Sequence, residues 1–123
     1  MSSYTSRARL ERALRQYVRL GLADGRMDEY KKIRIMKGYA QSESEFLDLV
    51  AVSDLIKTVA FTNRREDLRA FIEVYMRGGA RLGDISLAAL RFAHKNHLDV
   101  RTVYRRVSAL ETLYGKIREY YDK

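Results

Sequence analysis

Six side chains in one stretch can read or hold a polyanion: Arg101, Thr102, Tyr104, Arg105, Arg106 and Ser108. A guanidinium pairs bidentately with guanine or grips a phosphate, and Thr and Ser hydroxyls suit backbone or base contacts. Tyr104 suits a place along a sugar-phosphate backbone as well as it suits packing. These residues lie off an apolar stripe of Val100, Val103, Val107, Leu110, Tyr114, Ile117 and Tyr121. The stripe's steps alternate three and four, a heptad pattern held for about three repeats. That spacing predicts a long helix from Asp99 to about Tyr121, with the Asp99 carboxylate as its N-cap. Its first half would offer a basic, polar face. Its whole length would offer an apolar seam to the rest of the chain or to a second copy.

Charge sharpens the same reading. The 123 residues carry 24 Lys and Arg against 16 Asp and Glu, a formal net charge of +8. Residues 7–19 hold five Arg and one Glu, a local +4. Residues 81–106 hold Arg81, Arg91, Lys95, Arg101, Arg105 and Arg106 against Asp84 and Asp99, again +4. Two basic patches point to an anionic partner, double-stranded DNA first, with a merely solvated basic surface as the rival. Arg81 and Lys95 join the DNA candidates. Arg7, Arg12, Arg15 and Arg19 are candidates for flanking phosphates or a partner protein.

The elements that must position these residues are all helical. There is no proline and no cysteine, and no segment alternates as a strand would. Residues 5–22 predict a first helix capped by Thr5 or Ser6, with Leu10, Leu14, Tyr17 and Val18 as its buried stripe. Gly21 to Gly25 reads as a stop and turn. A second helix from Asp28 to about Tyr39 would bury Ile33, Met36 and Tyr39. Ser42 and Glu45 form a capping-box pattern opening a third helix, and Glu43, Glu45 and Asp48 read as capping charges. From Phe46 to Phe61 that helix is apolar on more than one face, as a central or oligomer-forming helix would be. Asn63 is the expected cap of a fourth helix reaching Arg77, with Leu68, Phe71, Ile72, Val74, Tyr75 and Met76 inward. Gly78-Gly79 breaks the chain, Asp84 is the expected cap of a fifth helix to about Asn96, and Leu87, Leu90, Phe92 and Ala93 would face in. The fold class is all-α with about six helices in a single domain. Its halves are 1–77, an oligomerisation or partner surface, and 78–123, the DNA-binding half.

Helix five, the link Asn96 to Asp99 and helix six together suit a helix-turn-helix. Ala93, Leu98 and Val103, at steps of five, take the places of the small residue, the turn residue and the recognition-helix anchor. His97 stands where such turns often carry glycine, and Asn96 where an apolar residue is usual. A generic helical hairpin is the alternative.

The runs Tyr75-Met76-Arg77-Gly78-Gly79, Asp84-Ile85-Ser86 and Asp99 to Leu113 resemble small phage transcription regulators of the ArpU and RinA type. Thr102-Val103-Tyr104-Arg105 and Ala109-Leu110-Glu111-Thr112-Leu113 carry the likeness most closely, and it covers about residues 68–117. It implies a helix-turn-helix similar to region 4 of sigma factors. It also implies binding to promoter DNA of late phage genes, with host RNA polymerase as a further contact.

Other chemistries find little footing. His94 and His97 sit three apart without a carboxylate at ligand spacing, so no metal or cofactor is expected. No Ser-His-Asp order, phosphate-cradling glycine loop or HExxH is present, and Arg64-Arg65-Glu66-Asp67 reads as a solvated helix start. An enzyme is not expected. No apolar run approaches the ~18 residues of a membrane helix, and there is no secretory h-region, so a cytoplasmic place in a bacterial host is expected. The reading is a phage-type DNA-binding regulator, with a homodimer favoured by the seam and the third helix. The alternatives are a packaging component similar to a small terminase subunit, and a protein-binding inhibitor or adaptor that meets no DNA.

Overall fold

The computed structural model describes residues 3–77 and 82–122. Among them the chain is all-helical: α1 (Ser3–Arg19), α2 (Glu29–Tyr39), α3 (Glu43–Phe61), α4 (Arg65–Phe71), α5 (Leu82–Lys95) and α6 (Val100–Tyr120). A π-helical turn, Ile72–Met76, continues α4 directly. The expected break at Gly78-Gly79 and the candidate Arg81 lie outside the described residues. The chain groups into two compact units, Met1–Lys57 with Tyr114–Lys123, and Thr58–Leu113. These boundaries fall inside α3 and α6, at other points than the halves 1–77 and 78–123.

In the first unit, α1 buries Leu10, Ala13, Leu14 and Tyr17, the three-four spacing of one helix face. Val18 was expected on that stripe and is exposed instead. One residue past Tyr17 turns it about 100° away, off the buried face. The helix closes on Gly21 at φ 74. The Leu22 N–H bonds Tyr17 O at 3.1 Å and the Gly21 N–H bonds Val18 O at 3.0 Å, the paired bonds of a Schellman cap. Leu22 is fully buried as a result of that turn's direction. Thr5 and Ser6 fall inside α1 rather than before it, because the helix starts at Ser3.

Asp28 caps α2 as expected, its carboxylate accepting from the Lys31 N–H at 2.8 Å. Of the three residues expected to be buried on α2, only Met36 is; Ile33 and Tyr39 are exposed. A helix of 11 residues with so many Lys and Arg offers only a narrow inward stripe.

Ser42 accepts the Glu45 N–H at 3.1 Å and so opens α3. The helix buries Leu49, Ala51, Val52, Ser53, Leu55 and Val59, which spread around more than one face. Phe61, read as the end of that apolar run, is 94% exposed. Asp48 is not a capping charge: its carboxylate takes the Arg118 Nε at 2.6 Å.

In the second unit, Asn63 does not cap α4. It sits at φ 58, just past the end of α3, where the Arg64 N–H reaches back to Val59 O at 3.0 Å. Asn is one of the few side chains that accept this left-handed conformation readily. The residue before α4 is Arg64, without a side-chain cap bond, though its Nε pairs with Asp67 at 3.2 Å. Phe71, Val74 and Tyr75 are buried across the α-to-π junction, and the Phe71 and Tyr75 rings lie 5.2 Å apart. The same turn packs against α5. Helix α5 starts at Leu82, so Asp84 lies within it rather than capping it. Ala89, Phe92 and Ala93 are buried on α5, whereas Leu87 and Leu90, expected inward, are exposed.

Candidate nucleic-acid interface

The interface residues depend on how α5 ends and α6 begins. Leu98 N–H bonds Ala93 O at 2.8 Å and His97 N–H bonds His94 O at 3.3 Å. This is the same Schellman pairing that closes α1, with His97 at φ 55 in glycine's usual place. Asn96 adds its side chain to the cap, its Nδ2 donating to Phe92 O at 2.8 Å. The two residues that departed from the usual turn pattern thus bond the end of α5 by another route. Leu98 follows directly and is half-buried beside the buried Ala93.

Asp99 then caps α6. Its carboxylate accepts the Arg101 N–H at 2.8 Å, and its carbonyl accepts the Thr102 N–H at 2.9 Å. A cap of this kind contributes about 1 kcal/mol to a helix. It also fixes the phase of everything that follows. Val103, Val107, Leu110 and Tyr114 of the stripe are buried, and Val100, Ile117 and Tyr121 half-buried. The seam is therefore covered by the chain itself, and a homodimer would need a different surface.

The opposite strip of α6 carries Arg101, Tyr104, Arg105 and Ser108, all exposed. Their spacing of three, four and seven puts them on one face. Among the described residues neither Arg101 nor Arg105 has an ionic partner. Thr102 is half-buried at the edge of the strip. Arg106 is turned aside: it is half-buried, with Nη1 3.8 Å from the Glu66 carboxylate. Lys95 is exposed but belongs to α5.

Lys95 helps line a groove of about 260 Å3 between the α4–π segment and α5. Arg69, Arg77 and Arg91 line it too. Arg69 and Arg77 lie off the apolar face by which the sequence marks this helix, so they carry no role in the sequence pattern. The available signal was the Arg69, Glu73, Arg77 spacing of four and four. Residues four apart drift around an α-helix, and a π turn, which takes more residues per turn, holds that drift back.

The first basic patch is less uniform. Arg12, Arg15 and Arg19 are exposed on α1, Arg7 is half-buried, and Arg15 bonds Glu11 at 3.1 Å. A second hollow lies between the start of α1 and the start of α3, and Glu45 and Asp48 face Arg9 and Arg12 across it. That mixed lining is poorly suited to a polyanion.

The last part of α6 carries a different arrangement, inside the first unit. Arg118 is 3% exposed and binds Asp48 at 2.6 Å, Asp122 at 2.7 Å and the Ser44 hydroxyl at 3.2 Å. Burial works against its charge, and the two carboxylates more than offset that, holding its pKa above the ordinary value. Tyr121 donates to Asp54, and that bond, with burial second, pushes its hydroxyl up to about 12. Lys57 bonds Glu29 at 2.7 Å and lowers that carboxyl.

Among the described residues no group of three or more His, Asp or Glu could hold a metal ion. His94 and His97 are both exposed. No helix is long and apolar enough to cross a membrane. Set against known protein families, curated proteins and solved structures, the chain finds no match.

Proposed function

We propose that this chain is a DNA-binding transcription regulator, and that α6 enters the major groove as the second helix of a helix-turn-helix. The observation that carries the reading is the exposed strip Arg101, Tyr104, Arg105 and Ser108, backed by buried Val103, Val107 and Leu110. Two unpaired guanidinium groups one turn apart on a well-anchored helix suit base edges or phosphates in the groove. The close Ala93–Leu98 turn and the Asp99 cap support the same reading, because they fix the phase at which that strip faces outward. The resemblance to phage regulators fits this role and a place of action on DNA in a bacterial host. Arg19, exposed on α1, is suited to a phosphate contact of its own.

The test is selection of bound duplexes from a random pool at about physiological salt, with the Arg101→Ala/Arg105→Ala variant beside the parent chain. An enriched sequence is expected, and its symmetry reports whether two copies bind. Each lost bidentate contact costs about 1–3 kcal/mol of discrimination. Each lost phosphate contact lowers the salt slope by about 0.9. Unenriched binding that vanishes with salt, equal in parent and variant, would overturn the reading.

A further inference from the structure

The groove between the α4–π segment and α5 does not belong to the exposed strip on α6, and its lining differs in kind. Four cations line it: Arg69, Arg77, Arg91 and Lys95. Only one acid does, Glu73, and Arg77 already holds it at 3.0 Å. Between the cations the surface is apolar. Leu87 is 45% exposed in the groove wall, Phe92 lies in its floor, and Leu90, one turn from Leu87, is 54% exposed. The Arg69 guanidinium stands 6.0 Å from the centre of the Phe92 ring, within cation–π range.

A leucine pair held outward has no use in contacting phosphates. A partner that offers carboxylates and an apolar residue together matches the unpaired cations and the apolar side chains of this lining. At about 260 Å3 the groove is smaller than the ~300–1,000 Å3 of small-molecule sites. It has the scale of side chains laid in from an outside helix. The π turn adds a reason for permanence: π turns are rare and concentrate at functional sites. Here one lies next to the groove, with Glu73 inside it and Arg77 at its end.

We infer that this groove docks an acidic amphipathic helix of a partner protein, with carboxylates on Arg69, Arg91 and Lys95 and an apolar residue against Leu87 and Phe92. The site stands apart from duplex binding through α6, so either can fail without the other.

The test uses amide chemical shifts of the full chain. Three probes are titrated: a synthetic helical peptide with Glu along one side and Leu at i and i+4, the same peptide with Ser for Leu, and a duplex oligonucleotide. The leucine peptide is expected to shift Ala88, Arg91, Phe92 and Lys95 and to bind at least about tenfold tighter than the serine peptide. Leu87→Ser should weaken it about tenfold and leave duplex affinity unchanged, and Arg91→Glu should abolish it. Both positions are solvent-exposed, so both variants should keep the parent's dispersed spectrum. Equal binding of the two peptides, no binding of either, or indifference to Leu87→Ser would overturn the inference. So would shifts of the same amides by the duplex, which would make the groove part of the nucleic-acid interface.

Discussion

Near the start of α6, Arg101 and Arg105 stand in solvent on one strip, while near its end Arg118 is 3% exposed and bonded to Asp48, Asp122 and Ser44. The residue type and the helix are the same, and the roles are opposite. An exposed guanidinium adds little to folding and is free to meet a partner. A buried one must have its donors satisfied, and once satisfied it cannot meet anything else. A charge run read from sequence therefore cannot be taken as one surface. Arg106 makes the point within a single turn, since it neighbours Arg105 yet leans on Glu66.

The strongest test of this contrast is stability. Arg118→Ala leaves Asp48 half-buried without its partner and should cost about 3 kcal/mol, read from the urea midpoint at constant slope. Arg105→Ala should change stability by no more than about 0.5 kcal/mol. Equal losses from the two would break the distinction.

Much of the helical framework was legible in the sequence, and for local reasons. The stripe of α6, the Asp99 cap and the Asp28 cap depend on neighbours within one or two turns. Face assignments were less legible where two stripes competed. On α5 the pattern Leu87, Leu90, Phe92, Ala93 allowed two inward faces, and the structure uses the one with Ala89, Phe92 and Ala93. Long-range pairs were not legible at all. Asp48 and Arg118 are 70 residues apart, and nothing near Asp48 distinguishes a buried partner from a capping charge. The only local trace of the π turn is the four-and-four spacing of Arg69, Glu73 and Arg77, which drifts off one face of an ordinary α-helix and so does not single out Arg69 and Arg77 as neighbours of Lys95. On α6 the buried face was unambiguous, so Arg101, Tyr104, Arg105 and Ser108 are exposed as expected, while Thr102 and Arg106, expected beside them, are half-buried.

A smaller effect compares the turn before α6 with the turn after α1. Both close by the same Schellman bonds, one on Gly21 at φ 74 and the other on His97 at φ 55. A Cβ on Gly21 would meet no atom within 4 Å, so the backbone angle alone should decide the outcome there. Gly21→Ala should cost about 1 kcal/mol. His97→Gly should stabilise by about 0.5–1 kcal/mol, because relief of the left-handed angle outweighs the extra freedom glycine gives the unfolded chain. Thermal melts of the two variants give both numbers. A loss of stability in His97→Gly would mean that the imidazole makes contacts outweighing its strained angle.

The smallest effect sharpens the picture of the last part of α6, where two tyrosines differ as the arginines do. Tyr121 donates to Asp54, whereas the Tyr114 hydroxyl is fully buried with no partner among the described residues. Burial foremost, with Asp48 second, raises the Tyr114 pKa. Both hydroxyls therefore hold their protons more tightly folded than unfolded. Their contribution is complete below the ordinary tyrosine value of about 10 and is lost as pH rises, for Tyr121 through about 12. Stability should fall with a steeper slope above pH ~10 in the parent than in either Tyr→Phe variant. At neutral pH the two should part. Tyr121→Phe loses a hydrogen bond to a carboxylate and should be mildly destabilising, while Tyr114→Phe removes a polar atom that nothing satisfies and should be neutral or slightly stabilising. Urea titrations at neutral and alkaline pH decide it. A clear destabilisation by Tyr114→Phe at neutral pH would show that its hydroxyl has a partner after all.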